Sequence, residues 1–227
     1  MNTIPIPDEF VKMIIAYKCH LGGYRVNKFM KEYVYGVRPK DKVNILDINK
    51  MWNKLVLAAR AFVSIEDPSA VLVISNKPFA RRAVIKFCEM TGATPVTGRF
   101  IPGSFTNKEI TGIKEPSLII VSDTCIDKQA VLEASYVNTP CIAFCNTDND
   151  LFNIDIALPM NNRLPTAIGA SFFMLGRLIN YMKGKCELID NMKVDVEYFF
   201  YRSQAEIEKL AEENKKTERL ENKVEVI

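Results

Sequence analysis

Val71-Leu-Val-Ile-Ser-Asn-Lys-Pro-Phe-Ala-Arg-Arg-Ala-Val-Ile-Lys-Phe-Cys-Glu-Met90 opens with four apolar residues in a row before Ser75. An unbroken apolar run of strand length fits a strand buried on both faces. Pro78 suits a first helical turn and Gly92 a helix end, so a helix over about 78–90 follows the strand. The unit recurs downstream. Leu118-Ile-Ile-Val-Ser-Asp123 precedes a helix over about 128–137, and Cys141-Ile-Ala-Phe-Cys145 and Ile154-Asp-Ile-Ala-Leu158 supply further strands. Pro95-Val96 reads as a short strand, and Ile168, Phe172, Leu175, Ile179 and Met182 line one face of a last helix. Strands that alternate with helices demand right-handed parallel crossovers. The expected fold class is α/β: a three-layer α/β/α sandwich around a mostly parallel, Rossmann- or flavodoxin-like sheet.

Upstream, Pro7-Asp-Glu-Phe10 starts an N-terminal helix with Phe10, Ile14 and Tyr17 on its apolar face. Tyr33-Val-Tyr35 and Val43-Asn-Ile-Leu46 flank a polar segment with Pro39 and Asp41, which predicts a β-hairpin. Asp47 can cap a long helix striped by Ile48, Met51, Trp52, Leu55, Ala59, Phe62 and Val63. Residues 1–202 are thus expected to form a single α/β domain. Residues 203–227, with five basic and seven acidic side chains, read as a charged helical or partly disordered tail.

Of 227 residues, 48% are hydrophobic and 25% charged, enough to bury a core. The net charge is +3; without the tail the remainder holds 25 basic against 20 acidic residues, so the body leans toward an anionic partner. The start carries no basic n-region, and no apolar run reaches the roughly 20 residues of a membrane span. A soluble intracellular protein without membrane contacts is the expectation. Six cysteines without a C-x-x-C pair read as free thiols, most of them buried.

The loop after Val71–Ser75, Asn76-Lys-Pro-Phe-Ala-Arg81, has no glycine, so it cannot cradle a pyrophosphate in the usual way. His20 is the single histidine; no Gly-x-Ser-x-Gly elbow and no metal-ligand spacing accompany it. It reads as a packing or hydrogen-bonding residue, and Asp123 and Asp148 as caps of the turns they start. No catalytic, cofactor or metal residues are expected, and no small-molecule substrate. Cations are more telling. Lys77, Arg81 and Arg82 crowd one helix start, an arrangement that favours a nearby anion. Arg99, Thr106, Asn107 and Lys108 lie on an irregular loop, and Arg163 precedes the last helix. These are the candidates for a nucleic-acid surface, RNA-facing if the resemblance described next holds.

Several ordered stretches then resemble the eukaryotic ribosomal protein SA family, the laminin-receptor precursor type, over about residues 10–202. They are His20-Leu-Gly-Gly23, Trp52-Asn-Lys-Leu55, Thr91-Gly-Ala-Thr-Pro95, Gly98-Arg-Phe100, Phe105-Thr-Asn107, Glu133-Ala-Ser-Tyr-Val-Asn138, Cys145-Asn-Thr-Asp148 and Asp155-Ile-Ala157. The resemblance implies a non-enzymatic constituent of the small ribosomal subunit that binds ribosomal RNA and supports subunit maturation. It implies a cytoplasmic location in the ribosome and a nuclear or nucleolar one during assembly. Implied neighbours are the universal small-subunit protein number five and the eukaryotic protein number twenty-one, met through Tyr198, Phe199, Tyr201 and Arg202. Animal members carry a long acidic tail and paired tryptophans where this chain has Phe172-Phe173. These departures argue against extracellular receptor activity, so an extra-ribosomal laminin-binding or scaffold role stands only as the alternative; the short tail suggests an early-branching or reduced eukaryote, with an archaeal source as the lesser alternative.

Overall fold

Residues 4–107, 109, 114–188 and 196–203 are described by the computed structural model. Helix α1 (Asp8–Ala16) starts after Pro7 and sets Asp8 and Glu9 against its positive dipole end. A ribbon of two antiparallel strands follows, β1 (Val34–Val37) and β2 (Asn44–Leu46), as the hairpin pattern predicts. The Asp47 carboxylate caps α2 (Ile48–Val63) by accepting the Asn49 N–H at 2.9 Å. Next come β3 (Val71–Ser75), α3 (Arg81–Thr91), β4 (Thr94–Thr97) and β5 (Leu118–Val121). Then α4 (Lys128–Tyr136), β6 (Cys141–Cys145), β7 (Ile156–Pro159) and α5 (Pro165–Met182) complete the described elements.

The five strands β3–β7 pair in parallel in the order β4-β3-β5-β6-β7. Every residue of β3, β5 and β6 is buried, which only helices on both faces can achieve. Helices α2, α3 and α5 pack together on one face. The right-handed β5–α4–β6 crossover, running the opposite way from β3–α3–β4, puts α4 on the other. Edge strands β4 and β7 each contain a proline, Pro95 and Pro159, which cannot donate to a ladder and so discourages further pairing.

Trp52 is core, 2% exposed, edge-on to Phe10 at 5.0 Å, with its indole N–H donating to the Ile4 carbonyl at 2.8 Å. Gly92 closes α3 at φ +88°, the left-handed conformation a side chain resists. One detail differs from expectation. The segment 78–90 begins as a separate 3-10 turn, Pro78–Ala80, and the α-helix starts only at Arg81. Strands β6 and β7 make their parallel crossover without a helix, through turns such as Asn149 N–H to Asn146 O at 3.1 Å. The tail expected over 203–227 lies outside the described residues beyond Ser203.

Candidate nucleic-acid interface

Because β3 feeds β4 on one side and β5 feeds β6 on the other, the side to which successive strands are added switches between β3 and β5. Open α/β sheets bind ligands in the crevice at the carboxyl ends of such a pair. Here that crevice is filled by the chain's own polar groups. Ser122 Oγ donates to Ser75 Oγ across the strands at 2.7 Å. The Asn76 N–H donates to the Asp127 carboxylate at 3.1 Å. Lys77 turns inward: its ammonium lies 2.5 Å from Asp123 Oδ2, with the two side chains only 11% and 9% exposed. It also donates to the Asn162 carbonyl. Asp123 Oδ1 accepts the Cys125 N–H at 2.9 Å and the Asn149 amide at 2.8 Å. Asp123 thus does cap the turn it starts, while also anchoring the plug.

Asp127 is the group most perturbed by this arrangement. Burial pushes its carboxyl up to about 6; the Asn76 N–H opposes the rise, the Asp123 carboxylate adds to it, and the Lys77 ammonium opposes it. A carboxyl whose folded value exceeds its unfolded value binds protons better when folded, so its stability contribution falls as pH rises from about 4 to about 6. In Asp127→Asn, the amide oxygen can still accept from Asn76. Wild-type stability minus that of the variant should fall by about 2–3 kcal/mol across that window. Urea titrations of both proteins at intervals of pH provide the check, and a flat difference would remove this assignment.

His20 Nδ1 lies 3.2 Å from the Ile14 carbonyl, a hydrogen-bonding histidine as expected. Cys19, Cys88 and Cys141 are buried, and burial pushes each thiol up to about 12. Cys125 departs from the buried pattern and is exposed.

The RNA-facing candidates separate in space. Arg81 is exposed and lines a groove of about 500 Å³ with Asn76, Lys77, Pro78, Gly98 and Tyr201. Gly98 is held there at φ +102° by its N–H donating to Ser75 O at 2.9 Å, and Arg99 follows it, exposed. Phe79 and Tyr201, each partly exposed, meet edge to face at 5.1 Å beside this groove. Sequence reading missed Phe79. Its one available signal was an aromatic residue outside any core stripe, in a loop between a strand and a helix. Arg163 is exposed and pairs with Asp148. Thr106 and Asn107 are exposed at the opposite, amino end of the strands, where Thr106 shares a groove with Lys114, Pro116 and Thr139. Lys108 lies outside the described residues.

Two of the candidates have partners within the chain itself. Lys77 belongs to the internal plug, because its ammonium finds Asp123 after the turn that precedes α3 reverses the chain. Arg82 is half-buried, with Nε donating to the Tyr198 carbonyl at 2.8 Å; burial and then the Arg202 charge lower its pKa. It fastens the segment 196–203 to α3. Within that segment Tyr198 and Tyr201 are exposed and Arg202 is half-buried. Phe199 faces inward. It is 5% exposed and packs edge to face on Phe173 at 5.5 Å, so it anchors the strap from below.

A sequence profile of the family described as "Ribosomal protein S2" matches residues 14–115 and 108–180. The "Small ribosomal subunit protein uS2" of Enterocytozoon bieneusi (strain H348) is 53% identical over 212 residues, covering 93% of this chain and 88% of that protein. The protein of the same name from Aedes aegypti is 44% identical over 209 residues, covering 92% of this chain and 72% of its own length. That of Nematostella vectensis is also 44% identical, with 92% and 67% covered.

Proposed function

Because this chain belongs to the ribosomal protein S2 family, we propose that it docks onto ribosomal RNA through the carboxyl edge of its sheet. Its membership makes it a structural constituent of the small ribosomal subunit, working in translation within the cytoplasmic ribosome and binding ribosomal RNA and other ribosomal proteins. The observation that carries the finer reading is the Arg81 groove, where an exposed guanidinium stands beside the Phe79–Tyr201 pair. A planar guanidinium can grip a phosphate through two parallel hydrogen bonds, fixing position without reading sequence. Arg81, Arg99 and Arg163 are the phosphate contacts in this reading; Thr106, Asn107 and Lys108 serve a separate contact at the amino end.

Tyr198, Tyr201 and Arg202 then face neighbouring proteins, since tyrosine packs its ring while its hydroxyl stays wet. The universal small-subunit protein number five and the eukaryotic protein number twenty-one are the proposed neighbours, with residues 203–227 ordering along them. Incorporation begins in the nucleolus and ends in cytoplasmic subunits. Nothing in the stretch 156–175 favours a laminin-binding surface. It is β7, the loop 160–164 and the first part of α5, and of its residues only Arg163, Leu164 and Thr166 are exposed.

The test is incorporation into subunits in cells. Arg81→Ala combined with Arg99→Ala removes two exposed cations and should leave stability within about 0.5 kcal/mol. Its co-sedimentation with small subunits should drop several-fold relative to wild type. Normal incorporation of a folded double variant would show that the RNA face lies elsewhere.

A further inference from the structure

Residues 24–42, which join α1 to the ribbon and include its tip, hold six cations, Arg25, Lys28, Lys31, Arg38, Lys40 and Lys42, against two acids, Glu32 and Asp41. All six cations are exposed. Arg38 pairs with Asp41 at 3.1 Å, and among the described residues the other five make no ion pair. Interleaved with them are three bare aromatic rings: Tyr24 at 71%, Phe29 at 61% and Tyr35 at 80% exposure.

The backbone that carries these groups is firmly held. Met30 and Tyr33 are buried, the Asn27 N–H donates to Thr147 O at 2.7 Å, and Lys50 Nζ donates to Glu32 O at 2.5 Å. The tip is closed by the Lys42 N–H to Arg38 O at 2.8 Å and the Arg38 N–H to Val43 O at 2.9 Å. Between Val34 and Gly36 the register slips, so Tyr35 has no partner on β2. A bulge of this kind re-aims a side chain, and here it leaves the Tyr35 ring in solvent. The neighbouring Gly36 offers open space in place of a side chain.

From this we propose that the segment 24–42 is a second RNA-binding surface, distinct from the carboxyl edge, and that it grips unpaired nucleotides. Bases splayed from loops or bulges stack on exposed aromatic rings while adjacent cations hold the phosphates. Charge decides against a protein partner. Lysine is depleted at protein–protein interfaces, whereas Lys28, Lys31, Lys40 and Lys42 all stand free here. The inference rests on the ribosomal reading above, which places RNA within reach.

Ultraviolet cross-linking of purified small subunits, followed by peptide mass spectrometry, tests it. Nucleotide adducts are expected on peptides carrying Tyr24, Phe29 or Tyr35. In parallel, the isolated chain should bind a labelled twelve-nucleotide uridine RNA with strong salt dependence. The Phe29→Ala/Tyr35→Ala variant should weaken that binding about ten-fold or more. Lys28→Ala/Lys31→Ala/Lys40→Ala should flatten the salt dependence. If the chain co-sediments with subunits but residues 24–42 yield amine-reactive cross-links to proteins and no RNA adducts, this proposal falls and the ribosomal reading stands. If the chain does not co-sediment at all, both fall. Unchanged uridine affinity in both folded variants also overturns the surface.

Discussion

Lys77→Ala should destabilise the protein by about 3–5 kcal/mol, the usual consequence of breaking a buried ion pair from one side. For a chain of this size that lowers Tm by about 6–20 °C. The loss arises because the Asp123 carboxylate, 9% exposed at its side chain, is left without its cation partner. The hydrogen bonds from the Cys125 N–H and the Asn149 amide cannot replace that cation. Replacing both charges tests the cause. Lys77→Met with Asp123→Asn keeps an acceptor for Cys125 and removes the unpaired carboxylate, so most of the stability should return. If the double variant is no better than Lys77→Ala, the pair is not what holds the crevice shut. The variant also separates folding from RNA contact. Lys77→Met/Asp123→Asn should enter subunits normally, whereas Arg81→Ala/Arg99→Ala should not.

The residues around this plug show which parts of the molecule were legible in the sequence. Local signals were reliable where the physics is local. Asp47 caps α2 because its carboxylate reaches an amide two residues on, and Gly92 ends α3 because the left-handed turn excludes a Cβ. The apolar runs gave β3, β5, β6 and β7 because burial leaves no alternating pattern, whereas β4 showed only as Pro95-Val96. Lys77 shows the limit. In sequence it belongs with Arg81 and Arg82, but its partner is Asp123, on the loop after the adjacent strand. Only the strand order brings β3 beside β5.

The same reason explains the other corrections. Loop 98–107 leaves the carboxyl end of β4 with Phe100 and Phe105 stacked edge to face at 5.0 Å, both buried. Glu133 of α4, itself 3% exposed, accepts the Gly103 N–H at 2.6 Å and fixes the loop's path. Thr106 and Asn107 are thereby delivered to the far end of the sheet from Arg99, although only a few residues separate them. Tyr198-Phe-Phe-Tyr201 is uniformly aromatic in sequence, but its backbone turns so that Phe199 meets Phe173 while Tyr198 looks outward. Gly169 lies beneath this strap; a Cβ there would stand 2.7 Å from Phe200 Cδ1 and 3.0 Å from the Phe199 carbonyl. A glycine in mid-helix is costly on its own terms, so its presence marks where the strap must come close.

Phe172→Ala should cost about 3–5 kcal/mol, read as a shift in the urea midpoint at unchanged slope. The ring is fully buried and lies edge to face with Phe87 of α3 at 5.6 Å and Phe144 of β6 at 4.7 Å. It therefore ties two helices of one layer to the middle of the sheet, and alanine would leave a void that none of these elements can close alone. The next turn of α5 shows how little slack exists. A Cβ on Gly176 would stand 2.3 Å from Met90 Cε and 3.2 Å from Phe87 Cδ2. The same tightness sets the expectation for a larger ring, Phe172→Trp. Without matching changes at Phe87 or Phe144, the larger ring should overpack the site and cost about 1–3 kcal/mol. Were Phe172 instead a surface ring for an extracellular ligand, alanine would change stability by less than about 0.5 kcal/mol. A midpoint shift that small would overturn its placement in the core and reopen the receptor reading of this helix.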